Sequence, residues 1–126
     1  MTLIFNPAEK GLAKVLKDYQ IEALRFVWEK GEEGAISREV WQYVNEILKG
    51  VRTISRASII NFLNAMVDEG VLNYVEETCK GGSRRVYSPR LDESGFKKYI
   101  AKMVIISLIK DFPEETNEVL KEIQEK

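Results

Sequence analysis

The order of hydrophobic patterns along the chain constrains its fold more than any other feature of the sequence. Three stretches with apolar residues at helical spacing come first, and two short stretches rich in β-branched and aromatic residues follow them. These short stretches, residues 71–77 and 84–88, flank the run Lys80-Gly81-Gly82-Ser83, which is typical of a hairpin turn. After residue 92 the helical pattern returns. The sequence therefore predicts a mainly α fold with one small β-hairpin.

The first helical pattern is preceded by residues that are typical of a helix start. In Asn6-Pro7-Ala8-Glu9, the Asn suits the cap and the Pro suits the first helical position. Helical spacing then continues from Leu12 to Gly31. This stretch forms either one long helix or two helices with a break near Asp18, which can itself cap the second. We expect residues 1–17 to be an N-terminal helical extension.

The boundaries of the later helices have signals of the same kind. Ser37 and Ser55 are the expected N-caps of the next two helices, and Gly70 is a natural stop for the second of these. Three helices followed by a hairpin form the layout of a winged helix-turn-helix domain, which we expect at residues 18–91. Residues 92–126 form a C-terminal helical region, in which Pro113 starts the last helix.

The distribution of charge along the chain is more informative than its total. The 19 Lys and Arg residues nearly balance the 20 Asp and Glu residues, which by itself argues against a nucleic-acid partner. Residues 49–66, however, contain three basic residues and no acidic one, and residues 80–91 contain four basic residues and no acidic one. In a winged helix these are the start of the recognition helix and the tip of the wing, the two places that meet DNA.

The third helix has an outer face that suits DNA reading. A helical wheel places five apolar residues on the inner face: Ile59, Ile60, Leu63, Met66 and Val67. Ser58, Asn61 and Ala65 lie on the opposite face, where small or amide-bearing side chains permit close approach to base edges. The alternative is an ordinary amphipathic helix with a neutral outer face.

The hairpin tip carries Lys80, Arg84 and Arg85, which as part of a wing would contact phosphates or enter the minor groove. A solvated hairpin tip is the simpler alternative. A phosphate-binding glycine loop is disfavoured, because the remaining spacing of such motifs is missing.

Cys79, the one cysteine of the chain, precedes this basic tip. Nearby cations lower the pKa of a thiol, so a redox switch is one interpretation. An incidental cysteine is the more economical one.

The helix predicted at residues 92–111 carries more apolar surface than one neighbour can cover. We expect it to form a dimer interface through six residues: Phe96, Tyr99, Ile100, Met103, Val104 and Ile106. The alternative is packing within the chain, between the N-terminal helix and the last helix.

The composition excludes several classes of function. The chain has no His, which excludes His-based acid–base catalysis and nearly every catalytic zinc site. We expect no metal, no cofactor and no enzymatic activity. The apolar stretch at residues 103–109 is far shorter than the roughly 20 residues that span a bilayer. No signal-peptide pattern follows Met1, so we expect a cytoplasmic protein without a membrane partner.

Four stretches resemble one family of regulators. They are Ala23-Leu24-Arg25-Phe26-Val27-Trp28-Glu29-Lys30-Gly31, Ser37-Arg38-Glu39-Val40, Ala57-Ser58-Ile59 with the later Glu69-Gly70-Val71-Leu72, and Arg84-Arg85-Val86-Tyr87-Ser88-Pro89. Together they are similar to the penicillinase-repressor family of winged-helix transcriptional regulators. The resemblance covers about residues 18–92, and the C-terminal helices match only in outline. Parts of it are shared with the multiple-antibiotic-resistance and phenolic-acid regulators.

The resemblance implies a homodimeric transcriptional repressor with a C-terminal helical dimerisation region. By matching positions, it implies that Ala57, Ser58 and Asn61 read bases, while Arg52, Ser55 and Arg56 hold phosphates. The chain departs from the family in its first 17 residues and in lacking the Cys-x-Cys tail of copper-responsive members. Metal-dependent release from DNA is therefore not expected.

The sequence thus predicts a regulator that binds a pseudo-palindromic site in double-stranded DNA as a homodimer. A protein-interaction module of a transcription or replication assembly is the rival interpretation. The rival predicts a third helix turned inward and an exposed apolar patch elsewhere.

Overall fold

The structure, a computed structural model, describes residues 3–125 and is mainly helical with a small antiparallel sheet, as predicted. The chain divides into two compact units, one ending at Glu93 and the other beginning at Ser94. In chain order the helices and strands are α1 (Asp18–Lys30), β1 (Ala35–Ile36), α2 (Ser37–Ile47), α3 (Arg56–Asp68), β2 (Leu72–Cys79), β3 (Gly82–Pro89), α4 (Glu93–Asp111) and α5 (Pro113–Gln124).

The sheet has three strands in the order β1-β3-β2, and both pairings are antiparallel. The hairpin of β2 and β3 is longer than predicted, with eight residue pairs and a turn at Lys80-Gly81. Strand β1 was missed, because two residues are too few to show an alternating pattern. It joins the base of the hairpin, where Ala35 lies opposite Tyr87.

The first unit is held by a core that all three of its helices share. On α3, Ile59, Leu63 and Met66 are buried as predicted, whereas Ile60 and Val67 are half-buried. The largest other fully buried side chains of this unit come from α1, α2 and the start of the hairpin: Leu24, Val27, Val40, Val44, Val71 and Leu72. The packing of these apolar faces leaves the opposite face of α3 outward.

Both predicted ends of α3 are confirmed. The hydroxyl of Ser55 accepts a hydrogen bond of 3.1 Å from the backbone N–H of Ser58, which satisfies one of the free N–H groups at the helix start. At the other end Gly70 has φ +81°, and the N–H of Val71 donates to the carbonyl of Met66 at 2.9 Å. A hydrogen bond between residues five positions apart, with a left-handed glycine between them, commonly ends a helix.

The predicted caps of α1 and α2 are each wrong by one residue. The cap of α2 is Ile36 rather than Ser37, because the chain passes directly from β1 into the helix. The carboxylate of Glu39 accepts from the N–H of Ile36 at 3.1 Å. The cap of α1 is Lys17 rather than Asp18, and here the amide oxygen of Gln20 accepts the cap N–H at 2.9 Å.

The prediction of an N-terminal helix was wrong. Before α1 the described residues form a single 3-10 turn, Gly11–Lys14. Asn6 closes a local turn instead of starting a helix, since its side-chain oxygen accepts from the N–H of Ala8 at 3.0 Å. Gly11 then turns the backbone to φ +56°, outside the α-helical region. Three apolar residues of the pattern are nevertheless buried: Leu12, Val15 and Leu16.

The second unit contains most of α4 and all of α5, and Pro113 occupies the start of α5 as predicted. Among residues 3–125, no helix of either unit is long and apolar enough to cross a membrane.

Candidate nucleic-acid interface

The outward face of α3 presents small and polar side chains at its first two turns. Arg56, Ala57 and Asn61 are exposed, and Ser58 is half-buried. No acidic residue occurs on α3 before Asp68, its last residue. The burial of the opposite face holds this surface in place, so the predicted base-reading residues share one accessible face.

Arg56 stands at the start of this face with a supported side chain. Its guanidinium lies over the indole ring of Trp41, 5.7 Å from the ring centroid, and its Nη2 is 3.4 Å from the hydroxyl of Ser37. The Trp41 ring is itself held, because its N–H donates to the carbonyl of Ile54 at 2.9 Å. None of the ion pairs formed by residues 3–125 involves Arg56. Its charge is therefore available to an external anion.

The start of α2 belongs to the same surface and was missed as part of the site. Ser37 contacts Arg56, and Arg38 beside it is exposed. A helix N-terminus carries free N–H groups and a partial positive charge, which attract a phosphate. The pair Ser37-Arg38 at a helix start was the sequence signal that could have found it.

Arg52 is less free than its surroundings in the sequence suggest. Its guanidinium forms an ion pair with the carboxylate of Asp18, at the start of α1, and lies 5.9 Å from the ring centroid of Tyr19. The stretch 49–66 has no acid along the chain, but α1 brings one to it. Arg52 therefore reaches a phosphate only in competition with Asp18.

The hairpin is mixed in charge rather than purely basic, with two Glu residues beside its Lys and two Arg residues. Its register places Glu77 opposite Arg84 and Glu76 opposite Arg85. The Nε of Arg84 donates to the Glu77 carboxylate at 2.8 Å, and this hydrogen bond raises the pKa of the Arg84 guanidinium. Lys80 at the turn is exposed and takes part in none of the ion pairs of the described residues.

Arg85 connects the hairpin to α3. Its Nη1 donates to the side-chain oxygen of Asn64 at 3.0 Å, and its guanidinium stacks 3.9 Å from the centroid of Tyr74. The hydroxyl of Tyr87 donates to the same oxygen of Asn64 at 2.6 Å, and burial raises the pKa of Tyr87. Arg85 is thus engaged inside the first unit, on the side of the hairpin that meets α3.

The structure groups the predicted residues into two sets. Ser55, Arg56, Ala57, Ser58 and Asn61 are together on α3 and its cap, with Arg52 just before them, whereas Lys80 and Arg84 lie towards the far end of the hairpin. Cys79, a free thiol, is half-buried at that end.

A groove beside α3 is a feature that the sequence did not reveal. It has a volume of about 300 Å³, and its lining comes from α3, the start of α1 and the segment before α1: Leu3, Tyr19, Gln20, Ser58, Asn61, Phe62, Ala65 and Met66. All three residues predicted to face outward on the helical wheel are among them. The groove therefore opens on the candidate reading surface.

The predicted dimer residues need correction. Phe96 is fully buried within one chain, so it cannot contact a partner, and Tyr99, Ile100, Met103 and Val104 are half-buried. Ile106 is 46% exposed. Four further exposed apolar side chains of the second unit lie outside the predicted set, at Leu108, Phe112, Val119 and Ile123. These four line an apolar cavity of about 390 Å³ together with Ile105, Glu115, Thr116 and Leu120.

Among residues 3–125 no group of three or more Cys, Asp or Glu side chains is placed to hold a metal ion. Comparison with known proteins does not identify the chain, since no protein-family description matches it and no curated protein is similar to it in sequence.

Proposed function

We propose that the chain is a sequence-specific DNA-binding transcriptional repressor with a winged helix-turn-helix domain, acting as a homodimer. One observation carries the proposal: the outward face of the first two turns of α3 bears small and polar side chains and no carboxylate, with Arg56 at its start. A surface of this composition fits a groove lined with base edges and bordered by phosphates. An acidic side chain on it would repel the phosphates.

In this proposal α3 enters the major groove, which is wide enough for one helix. Ala57 permits close approach, and the amide of Asn61 pairs with an adenine edge. Arg56 binds a phosphate beside the free N–H groups at the start of α2. The stacking of Arg56 on Trp41 reduces the conformational entropy that this contact costs.

The hairpin is the proposed wing. Lys80 contacts the DNA backbone directly, whereas Arg84 must exchange Glu77 for a phosphate. Arg85 acts indirectly, because its bond to Asn64 joins the middle of the wing to α3. The wing therefore contributes fewer free charges than its sequence suggests, and we expect a modest dependence on salt.

The second unit is the proposed dimer interface. Phe112 and Ile123 are 55% and 64% exposed, and they line one apolar cavity. Apolar side chains concentrated in one place are typical of a surface that a partner covers. A second copy related by two-fold symmetry would present two α3 helices to a pseudo-palindromic site.

Selection of duplexes from a random pool, followed by binding titrations at two salt concentrations, tests the proposal. We expect Arg56→Ala to weaken binding about tenfold, the effect of one lost charge-assisted hydrogen bond. The slope of log affinity against log salt should fall by about 1. Arg25→Ala is the matched control, because Arg25 is an exposed arginine on α1 that is paired with Glu22. Binding that ignores salt, or responds equally to both variants, contradicts the proposal.

The rival function is a winged-helix module that binds proteins in a transcription or replication assembly. The pairing of Arg84 with Glu77 and the apolar cavity of the second unit favour it. It predicts that no duplex is enriched and that the chain remains a monomer until a protein partner covers Phe112 and Ile123.

A further inference from the structure

The segment before α1 reaches the candidate reading surface. Leu3 shares the lining of the 300 Å³ groove with Ser58, Asn61 and Ala65, the outward residues of α3. Leu3 is half-buried there, whereas the next residue, Ile4, is 83% exposed. Of residues 3–5, Leu3 is therefore the one that lines the groove.

The segment is anchored just after Leu3. The N–H of Asn6 donates to the carbonyl of Lys14 at 2.7 Å, and the Lys14 ammonium donates to the carbonyl of Pro7 at 3.0 Å. Leu12 and Leu16, which follow, are buried in the first unit. Residues 3–5, here called the arm, thus start from a fixed point beside α3 and form neither helix nor strand.

We propose that the arm competes with DNA for the outward face of α3; this inference rests on the proposed function. Base edges must come within hydrogen-bond distance of Ser58 and Asn61, and the major groove admits little besides the helix itself. With Leu3 on the wall of the groove that these residues line, DNA and the docked arm exclude one another. The arm must leave for binding to occur.

The contact is weak enough to be reversible. Leu3 is only half-buried, so its docking competes with the entropy that the arm gains when it is free. Only the fraction of molecules with a released arm binds DNA, and the apparent dissociation constant rises in proportion. Docking of the arm therefore lowers the affinity of the chain for DNA.

Two neighbouring substitutions test the arm in the 126-residue chain. Leu3→Ser removes the docked side chain, whereas Ile4→Ser makes the same kind of change at a position outside the groove. We expect Leu3→Ser to bind a selected duplex about 3- to 10-fold more tightly than the unmodified chain. Ile4→Ser should bind as the unmodified chain does. The salt dependence should be the same in all three, because no phosphate contact changes.

A second readout follows the contact without DNA. The side-chain amide resonance of Asn61 should move in NMR spectra on Leu3→Ser and stay in place on Ile4→Ser. If the three proteins bind the duplex equally, or Leu3→Ser weakens binding because the arm itself contacts DNA, the arm proposal is overturned and the proposed function stands. If none of them binds any duplex in a salt-dependent way, the proposed function fails, and competition with DNA fails with it.

Discussion

The side-chain oxygen of Asn64 on α3 accepts a hydrogen bond of 2.6 Å from the hydroxyl of Tyr87 on β3. Tyr87 is 2% exposed, so this bond is shielded from water. Arg85 donates to the same oxygen, which makes one amide group the junction between α3 and the hairpin. The angle between the two elements proposed to meet DNA therefore depends on this junction.

Loss of the Tyr87 hydroxyl should destabilise the first unit. We expect Tyr87→Phe to lower the free energy of unfolding by about 1 kcal/mol, the typical net contribution of one hydrogen bond. Urea titration followed by circular dichroism measures the change. Tyr43→Phe serves as the control, since none of the hydrogen bonds described for residues 3–125 uses its hydroxyl, and it should change stability by less than about 0.5 kcal/mol. Equal effects of the two variants would show that the junction contributes nothing specific.

The same tyrosine makes stability depend on pH in the alkaline range. Burial raises the pKa of Tyr87 in the folded state above its ordinary value of 10.0. The contribution of neutral Tyr87 to the free energy of unfolding is therefore complete below about pH 10. It is lost as the pH rises towards the folded-state pKa, because Tyr87 releases its proton at lower pH in the unfolded chain. The stability deficit of Tyr87→Phe should shrink between pH 9 and pH 11 on urea titration (both limits about one unit from the ordinary pKa). A deficit that stays constant over this range would exclude a raised pKa.

The ion pair between Glu77 and Arg84 should restrain DNA binding. Glu77→Gln frees the Arg84 guanidinium, so we expect tighter duplex binding and a salt slope that is steeper by about 0.9, the value for one additional phosphate contact. Glu76→Gln is the matched control, because it removes the same charge from the neighbouring position of β2. If both variants tighten binding equally, the effect is one of net charge and the ion pair has no separate role.

The apolar cavity of the second unit should be covered in a dimer. Phe112→Asp places a charge in the apolar lining that includes Val119 and Ile123. We expect it to weaken self-association by about 10- to 100-fold. Sedimentation equilibrium measures this change. Val51→Asp is the control, because Val51 is 74% exposed in the turn before α3 and lies in the other unit. An unmodified chain that is monomeric at all accessible concentrations would refute the dimer.

Gly34 should be intolerant of a side chain for two separate reasons. It has φ +80°, and a Cβ there would lie 2.6 Å from Cγ1 of Val86 on the central strand. Gly50 also has a positive φ, +86°, with nothing within 4 Å, so Gly50→Ala tests a left-handed backbone without a steric contact. We expect Gly50→Ala to cost about 1 kcal/mol and Gly34→Ala roughly 2–4 kcal/mol in urea titrations. Similar costs at both positions would mean that Val86 moves aside freely.

The local elements could be predicted because local signals define them. Ser55 caps α3 and Gly70 ends it, as the residue types imply, and the hairpin forms around its glycines. The N-terminal prediction failed where local signals conflict, since the apolar spacing of Leu12 and Leu16 fits a helix but Gly11 does not continue one. The burial of these leucines was set by the core and not by their own secondary structure.

What the sequence determined by itself is the order of the helices and the hairpin, together with the carboxylate-free surface of α3, because periodicity, caps and turns act over a few residues. The tertiary structure alone decided which charges remain free. It paired Arg52 with Asp18, 34 residues away, set Glu77 against Arg84 through strand register, and brought Leu3 to the face of α3. It also buried Phe96 and left Phe112 exposed. These outcomes depend on contacts between distant parts of the chain, and such contacts follow from packing and register, which no local pattern specifies.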